Sequence, residues 1–217
     1  VVSSLTWRKG LGVAHCSGAT SLDALDSAVR QGAIPGAFHP LQAFSSVENG
    51  VKSIPGITFG IEGDDEMRGF LKEMALNLGA NPVFLKPEDK ALYHLSGVLV
   101  GNLLTEYIAI AAQIWERLGM TRSDGVRALV PMARQVTVNL EASGVPAAVA
   151  GPYARGDIGT ITKHLETLKG RVPEILPLYC ELALVGFRYA EEKGTLSHET
   201  RSEIRQLLDK YRRDVSK

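Results

Sequence analysis

Residues 88–119 read EDKALYHLSGVLVGNLLTEYIAIAAQIWERLG, with no proline and with two glycines, Gly97 and Gly101, ahead of the Gly119 that closes the run. One helix of that length extends roughly 45 Å at about 1.5 Å per residue, longer than most globular helices. Apolar residues fall on nearly every side of it between Leu95 and Ile114, the pattern of a helix buried all round. A membrane span competes with that reading. Against it, Asn102, Glu106 and Gln113 lie inside the window, and Asp89, Lys90, Glu116 and Arg117 flank it with no one-sided positive bias. The expectation is a buried spine with no membrane involved.

Lys90, His94, Gly97, Gly101 and Thr105 share one stripe of this helix, and Asn102 lies about 80° round from His94. Polar heads therefore sit beside a bare groove. Gly97-x-x-x-Gly101 also reads as close approach by another helix, and His94 as a core histidine bonded to a carbonyl.

Outward from this helix the composition sets bounds. The chain has 217 residues, is 45% hydrophobic, and carries 24 lysines and arginines against 24 aspartates and glutamates. That is enough to bury one large or two small cores, and it offers no field that recommends nucleic acid or an anionic membrane. Cys16 and Cys180 are the only cysteines. They supply neither a disulfide framework nor a zinc site, and no metal is expected; the usage suits a reducing, cytoplasmic setting. No secretory signal pattern opens the sequence. Residues 1–9 read instead as the tail of a helix running into Gly10, so the expectation is a chain that enters partway through a domain.

Toward the N-terminus the pattern alternates. Residues 11–16 form a short apolar run ending at Ser17-Gly18, after which Thr20 or Ser21 caps a helix to Arg30. Residues 32–38 lead to His39-Pro40, and the proline predicts that His39 ends a strand. Residues 57–61 and 82–85 give two more strands, separated by an acid-started helix over 64–78. Such alternation predicts a mostly parallel, Rossmann-like sheet. After Lys86-Pro87 only helices follow: from Ser123 or Asp124 to about 142, from Asp157 to Gly170, from Pro173 to Lys193, and from Ser197 to about 213. The fold class is thus α/β plus all-α, with domains over 1–86 and 87–217.

The dinucleotide fingerprint fails at its proper place, since Gly10-Leu-Gly12 precedes a strand and His15 stands where the third glycine belongs. Two strand-end sites remain, Ser17-Gly18 and His39-Pro40. A serine hydroxyl can orient an imidazole, and an imidazole can exchange a proton with a carbonyl or hydroxyl. Read otherwise, Ser17 caps a helix and His39 bonds its own turn.

His15-Cys-Ser-Gly18, then Gly36-Ala-Phe-His-Pro-Leu-Gln42, then Asp89-Lys-Ala-Leu-Tyr-His94 through Asn102, then Gly151-Pro-Tyr-Ala-Arg-Gly-Asp157 follow one another along nearly the whole chain. In this order they resemble a family of predicted oxidoreductases that join a Rossmann-like domain to a helical domain of unknown function 2520. Its helical part is akin to the C-terminal domains of 6-phosphogluconate dehydrogenase and pyrroline-carboxylate reductase. The resemblance implies NADP or NAD as cofactor, a small-molecule substrate between the domains, and a homodimer formed through the helical domain. It also implies a glycine-rich βαβ start that this sequence lacks, either removed or absent from a natural short form. Under it His39 and His94 are candidate acid or base, Ser17 orients His39, Ser17 and Gly18 face the cofactor, and Lys90, Asn102 and Arg155 position substrate.

A more distant likeness is to prephenate dehydrogenases, which carry a strand-end serine and a His-Pro turn. Gly97 and Val100 stand where their helix histidines would be, which argues against prephenate itself. Lys90 and Asn102 resemble the lysine and asparagine of hydroxyacid dehydrogenases, but in the usual Lys-x-x-x-Asn spacing the second place holds His94. Arg155, in a stiff turn before the helix cap Asp157, suits a carboxylate or phosphate if it faces a cleft, and a partner's acid if it faces outward. Two functions follow: an oxidoreductase acting on a small carbonyl, imine or hydroxyl, or a non-catalytic dimerisation or ligand-sensing module that kept the fold.

Overall fold

The structure, a computed structural model, describes residues 2–215. Four strands, β1 (Gly12–His15), β2 (Ile34–Leu41), β3 (Thr58–Gly63) and β4 (Asn81–Phe84), form one sheet in the order β1-β2-β3-β4. Between them lie the helices α1 (Asp26–Val29), α2 (Val47–Lys52) and α3 (Asp65–Asn77). The α/β class holds, with one correction: β1 with β2 and β3 with β4 are parallel, but β2 and β3 are antiparallel. Their long pairing, from Gly36↔Gly63 to Leu41↔Thr58, also carries β2 past His39, which is not its last residue. Because β1 stops opposite Ala37, residues 38–41 of β2 are paired on one side only, and a strand with one open side accommodates Pro40.

Asp64 caps α3 by accepting the Met67 N–H at 2.8 Å. That helix then lays Met67, Leu71 and Ala75 against Phe38, Phe59 and Ile61 of the sheet. The stacked rings of Phe38 and Phe59, 4.0 Å apart, tie β2 to β3. At the N-terminus the expected helix tail is a single 3-10 turn, Val2–Ser4, followed by irregular chain into Gly10; Val1 lies outside the described residues.

After β4 the chain is helical: α4 (Lys90–Glu116), α5 (Arg122–Ser143), α6 (Pro152–Arg155), α7 (Ile158–Arg171), α8 (Leu176–Glu192) and α9 (His198–Val215). Packing groups the chain into one compact unit through Thr105 and another from Glu106, so the first turns of α4 belong with the sheet. In the second unit Asp157 caps α7 through the Thr160 N–H at 3.0 Å. Ile161 and Leu165 of α7 then meet Phe187 of α8 and Ile204 and Leu208 of α9 in one apolar core. Thr121, not Ser123, caps α5, in a reciprocal box with Asp124.

The expectation that α4 is buried all round is overturned. Leu95, Leu99 and Val100 are 50%, 54% and 68% exposed. Within its own unit only one stripe of the helix has the sheet to lie on, and Gly97 permits that approach: a Cβ there would stand 2.7 Å from Leu41 Cδ1. Gly101 faces open space. By length and composition alone, the segment Pro87–Glu116 is sufficient to cross a membrane.

Candidate functional site

The ends of β1 and β2 and the first two turns of α4 bring together His15, Gly18, His39, Glu62, Lys90, Tyr93 and His94, all within the first unit. At the base of this group is a buried ion pair, Lys90 Nζ to Glu62 Oε2 at 2.7 Å, with both side chains under a tenth exposed. Lys90 Nζ also donates to the Thr20 carbonyl at 2.5 Å. These contacts give Lys90 a structural role. Its ammonium pins the first turn of α4 to β3 and to the loop after β1, and its charge is matched inside the protein.

One turn further on, Tyr93 reaches His39. Its ring fits because Gly60, the cross-strand partner of His39, has no side chain; a Cβ there would lie 2.8 Å from the tyrosine ring. His39 Nδ1 and Tyr93 Oη are 3.3 Å apart, and Tyr93 Oη is also 3.4 Å from the His39 carbonyl. A phenol has one proton. The arrangement that satisfies both contacts has Tyr93 donating to the carbonyl and accepting from His39 Nδ1–H, which leaves Nε2 as the free, basic nitrogen. Burial pushes the Tyr93 hydroxyl's pKa up, so it stays protonated across the neutral range.

His94 lies edge-on to His39, with ring centroids 5.7 Å apart. Gly18 closes the group from below. A Cβ on it would stand 2.5 Å from His94 Cδ2 and 2.8 Å from His39 Cε1 and Nε2, so only glycine admits both rings. Burial, then the charge on His94, then that on Lys90 hold His39 below the ordinary imidazole value of 6.5. At neutral pH His39 is thus an uncharged base. His15, which accepts the Ser17 N–H on Nδ1 at 3.2 Å, is lowered too, by burial first and by Lys90 second.

The remaining expected residues stand apart. The Ser17 hydroxyl does not orient His39: it lies 2.6 Å from Thr20 Oγ1 and accepts the Thr20 N–H at 3.1 Å, closing its own turn. Asn102 is exposed, two turns beyond His94. Arg155, in the second unit, is exposed and faces Asp157 at 3.8 Å. The Ser17 hydroxyl is thus committed to its own turn, and Gly18 is packed under two rings. Among the described residues, no group of three or more His, Cys, Asp or Glu is placed to hold a metal ion.

Sequence reasoning did not single out Tyr93, Glu62 or His15. For Tyr93 a signal existed, since it falls on the same helical stripe as Lys90, His94 and Gly97. For Glu62, a carboxylate on an otherwise apolar and glycine-rich strand was the only hint.

Comparison with known proteins places this geometry. The family model described as a domain of unknown function, DUF2520, matches residues 57–185. The structure of protein TM1727 from Thermotoga maritima is 24% identical, with a TM-score of 0.65 over 82% of this chain and 69% of its own. The Bacteroides fragilis protein BF3122, whose structure carries a provisional NADP-oxidoreductase designation, is 22% identical, with a TM-score of 0.60 over 83% of this chain and 65% of its own. At these identities the two likenesses establish the fold. No curated protein matches the chain.

Proposed function

Because the chain belongs to the DUF2520 family, we propose that the whole protein is an NADP- or NAD-dependent oxidoreductase acting on a small carbonyl, imine or hydroxyl compound, in which His39 handles the proton. The observation that carries this reading is the packing of His39 and His94 over Gly18 with Tyr93 on the far nitrogen of His39. A histidine kept neutral near pH 7, fixed in one orientation and paired with a second imidazole, is suited to general acid–base work. His39 Nε2 is the base, Tyr93 holds the ring and its tautomer, and His94 meets the same face. The provisional designation of BF3122 supports the reaction class.

The test is calorimetric titration of NADPH, then NADH, into the whole protein, followed by turnover of a panel of small ketones, imines and alcohols. One cofactor should bind. Replacing His39 by Asn should then lower kcat by about 10²–10⁴-fold with an unchanged melting temperature. Binding of neither cofactor, or full turnover in His39→Asn, overturns the reading.

A further inference from the structure

The loop after β1 is fastened at both ends. At its far end Thr20 gives its N–H to the Ser17 hydroxyl at 3.1 Å, and its carbonyl accepts from Lys90 Nζ, which Glu62 holds in turn. At its near end the fastening is one hydrogen bond, from the Ser17 N–H to His15 Nδ1 at 3.2 Å. Between the two ends lies Gly18, buried and in close contact with the rings of His39 and His94. Whatever moves this loop moves the surface on which those rings rest.

The two ends respond differently to a proton. A lysine ammonium donates throughout the neutral range, but an imidazole nitrogen accepts only while it carries no hydrogen. With Nδ1 as the acceptor, neutral His15 keeps its proton on Nε2, an atom buried with no hydrogen-bond partner among the described residues. A second proton has only Nδ1 to go to, where it would meet the Ser17 N–H donor to donor. The cation thus gains nothing at Nε2 and loses the bond at Nδ1. Burial, first, and the charge of Lys90 on α4 oppose that cation, while the Ser21 backbone and Glu62 on β3 favour it; the balance holds His15 below 6.5. At neutral pH the loop is therefore fastened.

We propose that His15 is a positioning residue for the His39–His94 pair: neutral, it holds the loop under the two rings through the Ser17 N–H, and protonated it releases that end while Lys90 keeps the other. The site then has an acid-sensitive floor as well as an acid-sensitive base. That the rings do chemistry rests on the function proposed above. The fastening does not, and its test needs neither cofactor nor turnover.

Nuclear magnetic resonance of the isotope-labelled chain, titrated from about pH 8 to about pH 5, decides it. At the upper end His15 should be the Nε2–H tautomer. As it takes up a proton, the Ser17 amide and the ring signals of His39 and His94 should all show a step at the His15 midpoint. His15→Asn separates this step from the titration of His39 itself, because the asparagine carbonyl oxygen can take the place of Nδ1 and accept the Ser17 N–H without titrating. Its Ser17 amide and both rings should keep their wild-type signals at about pH 8 and lose the step. His15→Leu, with no acceptor, should displace all three at every pH. An Nδ1–H tautomer, a Ser17 amide that ignores the His15 midpoint, or a step that survives in His15→Asn overturns the proposal. So do unmoved rings in a folded His15→Leu; if that variant does not fold, the other three outcomes still decide. Failure of both NADPH and NADH to bind, with these shifts intact, would remove the functional reading and leave this one standing.

Discussion

The first turns of α4 and the whole of α5 are both helical, and both put their most informative residues where composition alone would not. At the start of α4 a lysine is buried, yet its charge meets Glu62 and its protons meet the Thr20 carbonyl. Along α5 valines and leucines are exposed, and Gly125 is its one buried residue. One region buries a charged group, and the other leaves apolar groups exposed. The difference teaches that an element's helical propensity says little about where its free energy comes from. For α4 part of it comes from matched polar groups at one end, and for α5 from the Thr121–Asp124 capping box and the close approach of Gly125 to Ala112.

The comparison breaks first at Glu62. Glu62→Gln leaves the Lys90 ammonium buried and unmatched and should cost about 3–5 kcal/mol in denaturant unfolding. Lys90→Met together with Glu62→Gln should recover most of that loss. If Glu62→Gln is silent, the start of α4 does not draw on that ion pair. Next comes Gly18→Ala, whose methyl group would press on both imidazoles. An overpacking cost of about 1–3 kcal/mol is expected, with displaced ring resonances for His39 and His94.

Tyr93→Phe removes one hydroxyl and should cost about 1 kcal/mol. Its clearer sign is a loosened His39 ring, seen as a broadened imidazole signal. The smallest effect is on pH dependence. His39 and His15 both titrate below the ordinary 6.5 in the folded protein, so the unfolded chain takes up protons first as the pH falls. Stability should be level above about 6.5 and decline as acidification passes from there down to the lowered folded values. His39→Asn or His15→Asn should flatten the decline, and a melting temperature that rises on acidification would contradict the assignment.

How much of this was legible in the sequence depended on how local the cause was. The Asp64 and Asp157 caps each act over three residues, and both were readable from an acid ahead of an apolar period. The strand positions were readable for the same reason. The antiparallel turn of β3 against β2 was not, because alternation of strands and helices carries no direction of pairing. His39 was picked out for its proline and His94 for its stripe, but the tyrosine that holds His39 lies 54 residues away along the chain. The ion pair beneath them joins β3 to α4 with no shared motif. The surface of α4 misled most: apolar residues stand on all its sides, yet Leu95, Leu99 and Val100 are exposed.

Charge on His94 works against charge on His39, and Lys90 below adds to the same resistance. With the two imidazoles edge to edge over a glycine, His39 therefore favours its neutral form. In terms of charge, a proton that arrives on His39 is held against burial and positive neighbours, and is readily given up again.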